Sequence, residues 1–145
     1  MKSLVFKTLL LVSFLLLPLA SRGEVGDTLT GYFIEQPGNT FLHVYTNGVW
    51  IEFAMLDENY HQIENEFTRG VITVNKKGKS KERMVVRPTG DGMTLKSSKT
   101  IRKPHLFKIN GRLYKGEEDT IGESLVLQYN QHLLEEVTVK PLPVK

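Results

Sequence analysis

The stretch Phe41-Leu42-His43-Val44-Tyr45-Thr46-Asn47-Gly48-Val49-Trp50-Ile51-Glu52-Phe53-Ala54-Met55-Leu56 decides the fold. Its apolar positions recur every second residue on either side of Asn47-Gly48, which marks two antiparallel strands joined by a two-residue turn. A loop made of Asn47 and Gly48 pairs Thr46 with Val49. Tyr45 then faces Trp50, Val44 faces Ile51, His43 faces Glu52 and Leu42 faces Phe53. Directly opposed residues share a face. One face therefore holds Leu42, Val44, Ile51, Phe53 and Met55, an apolar core surface. The other carries Phe41, His43, Tyr45, Trp50 and Glu52, an aromatic strip with a polar pair. Open to solvent, that strip is a surface for a protein or glycan partner. Covered by a loop or a neighbouring hairpin, it is a satellite core around Trp50.

The same pattern extends in both directions. Residues 26–36 form a first strand region, closed by Pro37-Gly38-Asn39. Residues 70–75 and 82–87 flank a lysine-rich turn around Gly78, and Gly90-Asp91-Gly92 precedes a short strand at 93–96. A second Asn-Gly pair, Asn110-Gly111, reads as another hairpin. That hairpin places Phe107 opposite Tyr114 and Ile109 opposite Arg112, with His105 on the face of Phe107 and Ile109. Two last strands fall near 124–129 and 133–139. A helix capped by Ser124, with Leu127, Leu134 and Val137 on one face, is the alternative there. Val137-Thr138-Val139 and Pro141 favour strands. Short strands, tight turns and no internal repeat predict an all-β, antiparallel β-sandwich of the immunoglobulin-like kind.

The N-terminus reads as a secretory signal peptide over residues 1–23. Lys2 and Lys7 precede an apolar run from 9 to 17, and Pro18 and small residues follow. A cut before Glu24 is expected, or one after Ala20, which leaves a single domain at 24–145. The apolar run falls short of the roughly 20 residues that a membrane span needs, so no transmembrane segment is expected after cleavage. The chain has no Cys. This excludes a lipoprotein signal, disulfides, thiol catalysis and cysteine-ligated metals, and leaves stability to packing. The expected location is periplasmic or secreted.

Charge is segregated along the chain. Residues 24–68 hold eight acids and no Lys or Arg, and residues 69–115 hold fourteen bases against Glu82 and Asp91. Residues 116–145 return to six acids against two bases. Pairing of basic strands with acidic ones, giving cross-strand charge pairs, is the expectation. Lys76, Lys77, Lys79 and Lys81 crowd one turn. They serve as solvated edge protection or, as a patch, meet a polyanion or polysaccharide. A nucleic-acid partner is not expected, because the chain carries no recognition motif.

Catalytic signatures are missing: there is no Gly-x-Ser-x-Gly elbow, phosphate loop, dinucleotide fingerprint or His-Glu-x-x-His. The four histidines are scattered. A metal site would have to assemble from His43, His61 and carboxylates such as Glu52 or Asp57. Asp57-Glu58-Asn59 offers oxygens without the ligand spacing of a calcium loop.

Residues 49–57 (Val49-Trp50-Ile51-Glu52-Phe53-Ala54-Met55-Leu56-Asp57), then Ile63, Val71-Ile72-Thr73-Val74 and Gly90-Asp91-Gly92, resemble a group of small exported bacterial proteins. In these, a signal peptide precedes a strand ending in a Leu/Phe-Asp turn, a Val-x-Val strand and a polar hairpin. The similarity covers residues 40–110. It implies export and a sandwich fold, and for some members an accessory role in envelope metal efflux. This chain departs from a metal-handling version by lacking Cys, His clusters and Met runs. The expectation is a non-catalytic, cofactor-free binding module, with a metal-binding accessory protein or a polyanion-binding module as alternatives.

Overall fold

A computed structural model describes residues 25–142. The expected signal peptide, residues 1–23, lies outside the described residues. Ten antiparallel strands follow in order: β1 (Thr28–Gln36), β2 (Thr40–Asn47), β3 (Trp50–Leu56), β4 (Gln62–Ile63), β5 (Arg69–Asn75), β6 (Glu82–Pro88), β7 (Thr94–Ser97), β8 (Leu106–Tyr114), β9 (Glu123–Asn130) and β10 (Glu135–Thr138). No helix occurs among the described residues, so none there is long and apolar enough to cross a membrane. The C-terminal segment is two strands, β9 and β10, and not the alternative helix.

The strands run in the order β10-β1-β2-β3-β7-β6-β5-β8-β9, with the short β4 on β3. The all-β, antiparallel expectation holds. The two halves are not separate sheets, because β7 joins them: it pairs with β3 through Phe53–Leu95 and with β6 through Val86–Ser97. The result is one strongly curled half-barrel with the core on its inner surface. Val44, Phe53, Ile72, Val86, Leu95 and Ile109 are fully buried in that interior. Tyr129 of β9 reaches across it, stacked on Phe107 at 4.9 Å and tilted against Tyr32 of β1 at 5.2 Å. The Tyr129 hydroxyl shares a 3.1 Å hydrogen bond with Thr46 of β2. The chain between β4 and β5 is tied down by buried Asn65, which donates to the Phe53 carbonyl and accepts the Phe67 N–H. That satisfies backbone groups that burial would otherwise leave unpaired.

Two expected registers change. The first hairpin is real, but its loop is Gly48-Val49, so Asn47 pairs with Trp50, Tyr45 with Glu52 and Val44 with Phe53. Gly48 has φ 63° and Val49 does not join it at positive φ. That is the sign pattern of a turn with glycine at its first central position, not of an Asn-Gly turn with both central residues left-handed. A shift of two residues keeps every side chain on its expected face.

The second hairpin does not exist. Asn110-Gly111 lies in the middle of β8, paired to β5 on one side and β9 on the other. A Cβ at Gly111 would fall 2.3 Å from the Val71 carbonyl oxygen. Glycine is there to let two backbones approach, not to turn the chain.

A third expectation, pairing of basic with acidic strands, holds at the two borders of the basic block, where β7 pairs with β3 and β8 with β9, and not inside it. The basic block, residues 69–115, contains β5 to β8, which lie side by side as β7-β6-β5-β8. Inside the block basic strands pair with one another, while at its borders Glu52 stands opposite Lys96 and Lys115 pairs with Glu66 and Glu123.

Candidate functional site: a cleft on the outer face

Strand β1 changes partners at Gly31. Residues before it pair with β10 and residues after it pair with β2. Gly31 has φ 151°, and a Cβ there would meet the Val44 carbonyl oxygen at 2.6 Å and the His43 ring at 2.8 Å. Only glycine allows this bend against β2. The bend lifts the start of β1 off the outer face and leaves a cleft of about 360 Å³. His43, Tyr45, Ala54 and Leu56 form its floor, the segment from Asp27 to Thr30 one wall, and Tyr60 and Gln62 the other.

Aromatic rings line it. His43 lies stacked between Phe33 (4.5 Å, 7°) and Tyr45 (4.5 Å, 27°). Tyr60 meets Phe33 edge-on at 6.0 Å and Phe41 at 5.3 Å. His43 is 5% exposed, and its Nε2–H donates to the Thr30 carbonyl at 3.0 Å. That bond bridges floor and wall. Burial pushes the His43 pKa down from 6.5 to about 4, against the opposing effect of the Thr30 carbonyl, so the ring is neutral at pH 7.

The far wall is held under strain. Tyr60 has φ 66°, a left-handed conformation disfavoured for a bulky residue. The loop enforces it: the Asp57 carboxylate accepts the N–H groups of Asn59 and His61, both at 2.9 Å, and the Tyr60 N–H bonds back to the Asp57 carbonyl. Strained residues of this kind cluster at ligand-binding sites.

The expected partner-binding strip divides. His43 and Tyr45 line the cleft, and Phe41 packs against its Tyr60 wall. Trp50 is half-buried nearer β7, with the Lys96 ammonium 4.2 Å from its ring centre. Glu52 is buried, and its Oε2 has no hydrogen-bond partner. Leu29, Ala54, Leu56, Tyr60 and Gln62 complete the cleft and were not legible as site residues. They reach it through the β1 bend and the fold-back of the 57–62 loop, both non-local.

No known family is matched. Neither a family model, a curated protein nor a solved structure matches this chain. The site is therefore assigned on its own geometry.

The metal candidates are not brought together. Among the described residues, no group of three or more His, Asp or Glu side chains is placed to hold a metal ion. Asp57 is engaged by its own loop, the His61 ring bonds the Lys140 carbonyl, and His43 bonds Thr30. The lysine turn stands apart from the cleft. Lys77, Lys79 and Lys81 are exposed, while Lys76 donates to the Arg102 carbonyl and draws the 99–103 loop against the turn. His105 is buried, edge-on to Phe107, with its Nε2 bonded to the Ile101 carbonyl.

Proposed function

We propose that this is an exported, non-catalytic binding module that takes a partner in the cell envelope or outside the cell through the cleft beside His43. The observation that carries this reading is the cleft itself: about 360 Å³, floored by stacked rings and walled by a bent strand and a strained tyrosine. Its size and mainly apolar lining with a few polar groups are those of ligand sites. The part-exposed rings of Tyr45 and Tyr60, set around a buried and neutral His43, are a recognition surface for a planar or apolar group, such as an aromatic side chain or the apolar face of a sugar ring. No cofactor is part of this reading.

The test is NMR titration of the protein with small aromatic and neutral glycan ligands, paired with Ala54→Phe, which fills the cleft from its floor. Perturbations gathered on His43, Tyr45, Ala54 and Tyr60, lost in a folded Ala54→Phe variant, support the reading. A ligand that binds the variant equally well overturns it.

A further inference from the structure

The adjacency of β7, β6, β5 and β8 turns a run of basic sequence into one basic surface. On the outer face, β5 lies between β6 and β8 and carries the short side chains Val71 and Thr73. The taller side chains of its neighbours rise on either side, leaving a trough of about 430 Å³ lined by Val71, Thr73, Arg83, Asn110, Arg112 and Tyr114. A second depression of about 180 Å³ continues it past Val71 and Tyr114 to Arg87 and Arg69.

The positive charge here is not cancelled. Ion pairs among the described residues join Lys99 to Glu82 and Lys115 to Glu66 and Glu123, and none engages Arg83, Arg87, Lys108 or Arg112. Two arginines are held in place: Arg112 donates to the Ile121 carbonyl at 3.1 Å, and Arg69 to the carbonyls of Gly116 and Asp119. Arg83 and Arg112 stand on strands either side of β5, opposite Thr73 and Val71 respectively, hence about 12 Å apart at the usual strand spacing and rise. Thr73 and Asn110 put a hydroxyl and an amide between them.

We propose that this trough binds a linear acidic polysaccharide, carboxylated or sulfated, along β5. The arginines take the anionic groups by paired, charge-assisted hydrogen bonds, and Thr73 and Asn110 bond the sugar hydroxyls. Separated charges with uncharged hydrogen-bonding groups between them suit such a chain. A flat bilayer would reach only the rims, and stacked nucleic-acid bases would need open aromatic faces, whereas Arg69 already lies over Tyr114 at 4.6 Å. This site is independent of the His43 cleft.

The experiment is calorimetric titration of the purified protein with polygalacturonate, heparin, neutral dextran, single-stranded DNA and vesicles containing anionic lipid. Binding of polygalacturonate or heparin is expected, weakening as salt rises, with dextran inert. Replacing Arg83 and Arg112 together by Gln should reduce affinity about tenfold or more. The same charge change at Lys77 and Lys79 should reduce it less than about threefold. Both positions are exposed, and unchanged melting temperatures confirm that the variants fold. Arg83→Lys, which keeps charge but loses the paired geometry, should show an intermediate loss. Equal losses in the trough and turn variants, tighter binding to DNA or vesicles, or no binding to either acidic glycan would overturn the proposal.

Discussion

The Tyr32 hydroxyl is bonded to both backbone groups of Asn130, accepting its N–H at 3.1 Å and donating to its carbonyl at 3.2 Å. A side chain of β1 thereby acts as the missing strand partner at the end of β9, 98 residues away in sequence. Tyr32→Phe keeps the ring against Tyr129 and removes both bonds. Leaving two partly buried backbone groups unpaired should cost about 1–3 kcal/mol. Urea unfolding checks this: the midpoint should fall while the slope stays constant.

Acid should weaken the fold through His43. Its pKa is about 4 in the folded protein against 6.5 unfolded, so between these values the unfolded chain binds the extra proton. Stability is unaffected by this group above pH 6.5. It declines as pH falls from 6.5 to 4, by about 3 kcal/mol in all. His105, also lowered by burial, acts in the same direction. Unfolding titrations at pH 7 and pH 4.5 should show the loss, and His43→Phe should make the two curves draw closer together.

Gly111 separates a strand from a hairpin. In a hairpin built on Asn110-Gly111, Ala at 111 would disturb one turn. In β8 its Cβ collides with the Val71 carbonyl, and Gly111→Ala should cost about 3 kcal/mol or more. Asn110→Ala, exposed on the outer face, should change stability by less than about 0.5 kcal/mol. Thermal melts of the two variants distinguish the cases.

Glu52 combines burial with an unpartnered carboxylate oxygen. An apolar side chain of similar shape avoids that penalty. Glu52→Met should therefore be at least as stable as the parent at pH 7, by chemical unfolding. If Glu52 is kept for binding, the same variant will bind its partner less well, the usual exchange between stability and function.

The sequence carries more of the sheet than of the site. Period-two alternation assigns the faces of β2 and β3 correctly even though the register moves by two, because an even shift preserves every face. The same alternation also argues against the second hairpin. Phe107, Ile109 and Leu113 lie on one face only if the strand runs straight through Gly111, while a turn there would bring Arg112 beside Ile109. Strand order was not legible, since β3 meets β7 only after β5 and β6 have been laid down beyond it. For the same reason, neighbouring basic strands could not be foreseen. His43 and Tyr45 were legible as site candidates by their face. Tyr60 was not, because its position depends on a left-handed backbone that no local signal announces.

Adjacent basic strands have a consequence for how the molecule moves. Residues 25–142 contain 15 basic and 15 acidic side chains, so these residues carry no net charge by which a charged surface could draw them. Sorting those charges onto different parts of one curled sheet instead creates a dipole, and a dipole in a field gradient turns before it travels. Within about a Debye length of an anionic surface, near 8–10 Å at physiological salt, the β6-β5-β8 face will swing toward it. Encounters are then preselected by orientation, a bias that added salt should erase.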